Sequence, residues 1–408
     1  MRMKWILLVL AMATAAAHAG DNDALTPNPS LTLREVLQRT FDRNPQRHVL
    51  QAMDGEVQAR YLQARGTLPL APALSVRHQN DTLGSGRGER EWEAELELPV
   101  WLPGQRAARQ AVADESQLEL AATRDALMLQ VAGVLRDAVW DVGMNLNTVE
   151  LARQRLASTQ ALQHDVERRF KAGELAKTDL MLAQNETLQS ETALLRAEAE
   201  LRHAQHRYRV LTGSDEIPAR LEESLSAKQE TDDQHPFLRE VEAKIAVAQN
   251  QRDLVRVERR DNPQLMLAAR SQRGAFDNTY NDSVGLKLRI PFSTESQAAP
   301  RIAAAESRLA TNLTERGRLQ LAMQTALHEA EHNLAVTRAE LEIVTRQQQL
   351  AQENLRLARK AFELGETDLV HVIRVQSLAH EADRQLGSRK VQLQWDIAKY
   401  NQSIGELP

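Results

Sequence analysis

The sequence repeats its own punctuation at a nearly constant spacing. Pro72 recurs as Pro263 after 191 residues, and Tyr208 recurs as Tyr400 after 192 residues. The other pairs at this spacing are Asn44-Pro45 with His235-Pro236, Pro99 with Pro291, Phe170-x-x-Gly173-Glu174 with Phe362-x-x-Gly365-Glu366, and Gly213 with Gly405. A constant spacing over most of a chain indicates tandem structural repeats. We predict a first repeat over residues 20–225 and a second over 226–408, joined by a polar linker around 226–234.

Each predicted repeat contains a long stretch without proline. No proline occurs between Gly104 and Gly173, or between Pro300 and Gly365. A continuous helix of this length is on the order of 90–100 Å long, about three times the thickness of a bilayer core. Because these stretches are too polar for lipid, we expect the helices to stand in water. Shorter returning helices are predicted at 174–212 and 366–404.

The second long stretch carries a coiled-coil register. From Leu327 to Phe362, steps of three and four residues fall on nine apolar residues out of eleven. An ordinary amphipathic surface helix rarely keeps such a register over five heptads, so we predict helices packed along a shared seam. The positions are Leu327, Ala330, Leu334, Thr337, Leu341, Val344, Gln348, Ala351, Leu355, Ala358 and Phe362.

Short alternating segments precede each long stretch. Because a strand turns successive side chains to opposite faces, the segment EWEAELELP at 91–99 would place apolar side chains on one face and carboxylates on the other. The carboxylates are Glu91, Glu93, Glu95 and Glu97. In the second repeat, Lys287 and Arg289 lie opposite an apolar face that ends at Ile290. Partner strands are predicted at 74–79 and 265–272.

Alternation of apolar and charged residues is typical of a transmembrane β-barrel with a wet lumen. A half-exposed sheet on a soluble core is the simpler interpretation, but the segment at 91–99 has about the length that a tilted membrane strand needs. Four strands cannot close a barrel, and an open edge in lipid leaves backbone groups unpaired. Two copies of the chain would supply eight strands and three copies twelve. The charged faces would then line the lumen.

The N-terminus has the architecture of a signal peptide. A basic start at Met1–Lys4 is followed by an apolar run to Ala17 and an A-x-A cleavage signal, so we predict cleavage after Ala19. The chain has no cysteine, which excludes disulfides and a lipid-modified N-terminal cysteine. Its net charge of −5 argues against nucleic acid as a partner. No later segment reaches 18 apolar residues, so no transmembrane helix is expected.

One motif suggests an enzyme. His328-Glu329-Ala330-Glu331-His332 fits H-E-x-x-H, which on a helix supplies two zinc ligands and a general base. In the heptad register, however, His328 and His332 fall at b and f positions, away from the seam. The corresponding segment of the first repeat, LRDAVWDVG, has neither histidine. We therefore predict no catalytic site, no cofactor and no zinc peptidase. Incidental metal binding at His328/His332 or at His203/His206 stays open.

Together these residues give the sequence a resemblance to the TolC-like outer-membrane efflux channel family, over nearly all of the mature chain. The motifs are LTLREVLQRTFDRNPQ, ELELPVWLPGQRAAR, RRFKAGELAKTDLMLAQ and KAFELGETDLVHVIRVQ. The resemblance implies a mainly α fold with a small β part. It also implies a homotrimer with a 12-stranded β-barrel in the outer membrane and an α-helical tunnel across the periplasm. A periplasmic adaptor and an inner-membrane RND-type pump are the implied partners.

The compact GETDL tip of the second repeat resembles the heavy-metal branch, the cobalt–zinc–cadmium and copper–silver efflux channels. Gly365 precedes Asp368 by three residues, whereas Gly173 precedes Asp179 by six. On the family's plan these tips form the periplasmic aperture and contact the adaptor. The aperture residues are Gly173, Glu174, Asp179, Gly365, Glu366 and Asp368.

Each tip residue also has a simpler explanation. Asp and Glu are favoured at helix N-caps and in first turns, and glycine is favoured where a helix reverses with positive φ. Three alternatives to a heavy-metal channel remain. The same channel could carry drugs or organic compounds, it could serve type I secretion, or the chain could be a periplasmic coiled-coil adaptor. An adaptor normally has one hairpin, without a duplication.

Overall fold

The computed structural model describes residues 24–230, 233–292 and 294–408, and the predicted signal peptide lies outside them. Within these ranges the chain forms seven α-helices and six β-strands. The helices are α1 (Leu33–Arg43), α2 (Arg47–Arg65), α3 (Gln105–Lys171), α4 (Lys177–Thr212), α5 (Pro236–Val257), α6 (Glu295–Glu363) and α7 (Leu369–Ile404). The strands are β1 (Thr26–Asn28), β2 (Ala73–Asn80), β3 (Arg90–Pro99), β4 (Glu216–Pro218), β5 (Gln264–Arg273) and β6 (Asn281–Arg289).

The two long helices are continuous, as the proline-free stretches predict. The helix α3 has 67 residues and α6 has 69, so each is on the order of 100 Å long. The helix α6 begins at Glu295, five residues earlier than expected. Pro300 lies in its second turn and removes a single backbone hydrogen bond there. No helix among the described residues is long and apolar enough to cross a membrane.

The long helices form a four-helix wall. The helix α3 packs against α4 on one side and α7 on the other, and α7 also packs against α6. The order across the wall is therefore α4–α3–α7–α6, with α4 and α6 at its two edges. The predicted seam of α6 is confirmed, because Leu334, Thr337, Leu355 and Phe362 are buried against α7.

The four predicted strands form one antiparallel sheet in the order β2-β3-β5-β6. Two antiparallel pairs, β2-β3 and β5-β6, each join neighbouring segments of the chain, and β3 pairs with β5 between them. The strand β6 ends at Arg289, one residue before the predicted Ile290. Each half of the chain runs in the same order: helix, strand, strand, long helix, returning helix.

The first half has elements that the second lacks. The helix α1 begins with a capping box, in which Thr32 and Glu35 bond each other's backbone N–H groups. It buries Val36, Leu37 and Phe41 against α3 and α4. The short strand β1 pairs in parallel with β4 beside this core. The sequence patterns predict only four strands. They miss the β1–β4 pair, which we call the clasp, because three-residue strands are too short to show alternation.

Candidate functional sites at the hairpin tips and in the sheet

At both tips of the wall the chain reverses in the same way. Gly173 and Gly365 have φ of +82° and +75°, in the left-handed region that favours glycine. The Gly173 N–H donates to the Phe170 carbonyl at 3.0 Å, and the Glu174 N–H donates to the Arg169 carbonyl at 2.9 Å. Equivalent bonds form at the other tip, at Gly365 and Glu366. These pairs of bonds satisfy the last carbonyls of α3 and α6.

The two aspartates of the tips lie at different positions in the starts of the returning helices. Asp368 is the N-cap of α7, and its Oδ1 accepts from the His371 N–H at 2.8 Å. Asp179 lies in the first turn of α4, and its Oδ2 accepts from the Ala176 N–H at 3.2 Å. Each aspartate thus satisfies a backbone donor at a helix N-terminus.

This geometry corrects the idea of a more compact second tip. Residues 172–176 connect α3 to α4 and residues 364–368 connect α6 to α7, so both connections have five residues. The glycine-to-aspartate spacing differs because the aspartate caps the helix in one tip and follows the cap by three residues in the other. The carboxylates of Glu174 and Glu366 are exposed and form no ion pair with the described residues. They are therefore available to solutes.

The two helical hairpins, α3–α4 and α6–α7, are connected near their tips by a contact of Arg169 with Phe362, which we call the joint. Sequence reasoning missed it. An Arg169 Nη donates to the Phe362 carbonyl at 3.1 Å, and the guanidinium lies 4.8 Å from the centre of the Phe362 ring. Asp165 holds the same guanidinium at 3.2 Å. Around it, Val166, Ala183, Phe362, Leu369 and Val372 form a small apolar core shared by both hairpins. The joint ties the two hairpins of one chain together where an aperture would be.

The four-stranded sheet has one apolar face and one charged face. The apolar face is open to solvent in the single chain, with Val284 89% and Leu74 71% exposed. The strand register places Leu74, Leu96, Leu267 and Leu286 in one row across the sheet. So many exposed apolar side chains on one face require a covering of lipid or protein.

The opposite face carries the predicted charges. Glu97 lies beside Met266, which in turn lies beside Lys287, and Arg289 lies at the end of the same face. Of the other carboxylates, Glu95 faces Ser75, while Glu91 and Glu93 form ion pairs with arginines. The pairs are Arg270 with Glu91 at 2.9 Å and Arg77 with Glu93 at 3.8 Å. This face therefore carries both carboxylates and cations, four of which form ion pairs.

The histidines of the H-E-x-x-H motif are not assembled into a catalytic centre within one chain. His328 and His332 are exposed on α6, and His203 and His206 are exposed on α4. The described part of a single chain contains no group of three His, Asp or Glu side chains placed to hold a metal ion. Because α4 and α6 are the two edges of the wall, their histidine pairs lie on opposite sides of the monomer.

Comparison with known proteins identifies the fold. No protein-family model and no curated protein sequence matches the chain. Among solved structures, the outer membrane protein VceC of Vibrio cholerae has a TM-score of 0.73 at 14% identity, covering 92% of this chain and 97% of its own. CusC, which forms a transmembrane channel, has a TM-score of 0.71 at 14% identity and covers 96% of both chains. The MtrE outer membrane channel of Neisseria gonorrhoeae has a TM-score of 0.66 at 14% identity, covering 94% and 91%.

These likenesses extend over more than nine-tenths of each protein compared. The chain has the mainly helical fold with a small sheet that these outer-membrane channels have, and this part of the expectation is confirmed. CusC and MtrE are both channels.

Proposed function

We propose that this protein is the outer-membrane channel of a tripartite efflux system. Three copies would form a 12-stranded barrel in the outer membrane and a helical tunnel across the periplasm. The tunnel would receive substrate, heavy-metal cations in particular, from a periplasmic adaptor and an inner-membrane RND-type pump. The observation that carries the proposal concerns the edges of the wall and of the sheet. Within the described chain each edge helix or strand has a neighbour on one side only, whereas the element that corresponds to it in the other repeat has a neighbour on both sides.

The edge helices carry apolar stripes with heptad spacing. On α6 the stripe includes Ile343 and Leu350, which are 60% and 68% exposed. On α4 it includes Leu188 and Leu195, which are 61% and 67% exposed. Apolar residues seven apart on an exposed helix face are typical of a second packing seam. Both stripes lie on the side of the helix away from its partner within the chain.

Residues of the two repeats correspond at a spacing of 192, as Tyr208 and Tyr400 do. By this correspondence, each exposed stripe matches a surface that is packed within the chain. Within the chain, Gly387 of α7 lies against Asn147 and Leu151 of α3, and Ser388 lies 3.8 Å from the Met144 sulfur. The counterpart of Gly387 is Leu195 on α4. The counterparts of Met144 and Leu151 are Val336 and Ile343, in the stripe of α6. We infer that α4 of one copy packs on α6 of the next copy as α7 packs on α3.

The sheet supports the same assembly. In one chain β3 pairs with β5, and the repeat spacing relates β3 to β6 and β5 to β2. An antiparallel pair of β6 with the β2 of a neighbouring copy follows from this relation. Such head-to-tail contacts close into a ring when the rotation between copies is right. Closure would leave no sheet edge in the lipid, and three copies give the twelve strands of the proposed barrel.

Charge along the path favours cations. Three copies would turn Glu174, Glu366 and Asp368 into rings of carboxylates at the periplasmic end, and Asp179 would add a fourth. Rings of carboxylates raise the local concentration of cations in a pore. Glu91, Glu93, Glu95 and Glu97, with Lys287 and Arg289, would line the barrel. Efflux of organic compounds or type I secretion would use the same path, whereas the shared fold disfavours an adaptor.

The first test is the native mass of the mature protein, extracted in mild detergent from outer-membrane fractions. We expect a heat-labile particle of three chains. A monomer in the soluble periplasmic fraction would overturn the proposal. For the cargo, a deletion strain is compared with its complemented parent on zinc, cobalt, cadmium, copper and silver salts, and on dyes and antibiotics. Sensitivity to organic compounds alone would replace metal cations with organic cargo.

A further inference from the structure

Two histidine pairs remain unexplained by a channel, and they lie on the two edge helices. His203 and His206 are three residues apart on α4, and His328 precedes Glu329 on α6. His332 completes the second pair, and all four histidines are exposed in the single chain. The residues that correspond to them in the other repeat lie where α3 packs on α7. The contacts of α3 with α7 therefore indicate how the histidines and Glu329 would meet between two copies.

Where α3 packs on α7, polar contacts link the residues that correspond to the histidines and to Glu329. The Trp395 indole N–H on α7 donates to Asp137 on α3 at 3.2 Å. Two turns further along α7, Arg136 donates to the Gln402 side chain at 2.6 Å. Ala398 lies between these two contacts on α7 and is fully buried.

Moving each position by the repeat spacing gives the interface between copies. Trp395 becomes His203, and Asp137 becomes Glu329. Ala398 becomes His206, and Arg136 becomes His328. The indole-to-carboxylate contact is thereby replaced by imidazole facing carboxylate, with a second imidazole one turn along the same helix.

We propose that each contact between copies holds a divalent transition-metal ion. His203 and His206 of one copy and Glu329 of the next copy are its ligands, and His328 lies beside them. Two imidazoles and a carboxylate form a donor set suited to Zn²⁺ and related first-row ions. The site is incomplete in one chain, which agrees with the lack of a metal-binding group among its described residues. The inference rests on the ring of copies proposed above.

The site gives the H-E-x-x-H motif a different meaning. A peptidase would need His328 and His332 as ligands and Glu329 as general base. Here Glu329 is a ligand, and His332 is not. The counterpart of His332 is Trp140, which is buried beside Gly143 of the same helix. His332 is not one of the proposed ligands, so it serves as the control on the same turn of α6.

The experiment uses the detergent-purified oligomer, stripped with EDTA and then titrated with ZnCl₂. We expect one zinc per chain and a higher temperature of dissociation into monomers. Glu329→Gln and the double variant His203→Gln/His206→Gln should lose the bound zinc and the shift, while His332→Gln keeps both. Loss of zinc in His332→Gln, or retention in Glu329→Gln, would overturn the proposal.

Mixing the two defective copies tests the sharing of ligands between chains. In a mixed oligomer, the α4 of a Glu329→Gln copy meets the α6 of a His203→Gln/His206→Gln copy, and every ligand is intact at that contact. We expect zinc binding to return in the mixture, although neither variant binds zinc alone. No return would rule out a shared site. A protein that is monomeric both without and with added zinc would refute the channel proposal itself, whereas an oligomer that binds no zinc refutes only the site.

Discussion

The two long helices are nearly equal in length but very different in their surroundings. The helix α3 buries more than twice as many of its side chains as α6 does. Met144 and Leu151 of α3 are partly covered by α7, while their counterparts on α6 belong to the open stripe that includes Val336 and Ile343. In the proposed assembly, one chain completes only the inner contacts of a larger wall, and the outer contacts come from another copy.

The largest effect is expected from placing charge in the exposed apolar stripe of α6. The double variant Ile343→Glu/Leu350→Glu would bury two unpaired carboxylates between copies, which costs several kcal/mol. We expect the oligomer to dissociate to monomers, as measured by native mass in detergent. Gln349→Glu is the control, since its counterpart Ala157 is exposed within the chain. Equal mass for both variants would argue against α6 as an edge of the ring.

A second prediction concerns the joint between the hairpins. Arg169→Ala removes a charged hydrogen bond worth about 1.5–3 kcal/mol, and the stacking on Phe362 as well. Because the joint ties the tips together, we expect higher single-channel conductance in planar bilayers. Arg168→Ala is the control, because Arg168 is exposed and pairs only with Asp165 among the described residues. If the two variants conduct alike, the joint does not hold the aperture.

The tip glycines give a smaller effect. Gly365→Ala places a Cβ at positive φ and should lower the free energy of unfolding by about 1–2 kcal/mol. Gly317 lies within α6, and a Cβ there meets no neighbouring atom. Gly317→Ala should therefore stabilise the protein by about 0.5–1 kcal/mol. Thermal unfolding followed by circular dichroism compares the two, and equal midpoints would show that the positive φ carries no cost.

The smallest effect is on pH dependence. Burial, and then the charge of Arg155, lower the pKa of His380 below its ordinary value of 6.5. The unfolded chain then binds more protons, so stability is lost as pH falls through about 6.5. The other charged groups around His380 are Glu186 of α4, Arg359 of α6 and Asp383 of α7.

His380→Leu should flatten this loss, because the pKa difference between the folded and unfolded states disappears. Leucine already occupies the counterpart position, Leu188. Thermal midpoints are measured between about pH 7.5 and pH 5.5, where an ordinary histidine titrates. His371→Leu is the control, since His371 is exposed and contributes only its backbone N–H to the cap of α7. An unchanged slope in His380→Leu would refute the assignment.

The elements of the wall and sheet could be predicted from the sequence because each leaves a periodic trace. The seam from Leu327 to Phe362 follows the heptad, and EWEAELELP alternates with the pleat of β3. These signals arise from local geometry, so they survive without knowledge of the fold. The left-handed conformations of Gly173 and Gly365 were also foreseeable, since helix reversals favour glycine.

What the sequence did not reveal depends on contacts between distant residues. Arg169 meets Phe362 across two hairpins, and nothing near Arg169 in sequence marks it. The different roles of Asp179 and Asp368 were misread as a difference in loop length, because spacing does not reveal which residue starts a helix. The packing of α3 on α7 could likewise not be predicted, although the proposed interface between copies is inferred from it.

The clasp of β1 on β4 has a consequence for the order in which the chain matures. Thr26 pairs with Glu216, so the first described strand has no partner until the chain has been made as far as β4. In export directed by the predicted signal peptide, the apolar side of α1 would emerge long before its cover by α3 and α4 is complete. Closing so large a loop is slow and entropically costly. We expect nascent chains shorter than this to need periplasmic chaperones and to be cut readily by proteases, so the clasp acts as a checkpoint in vectorial folding.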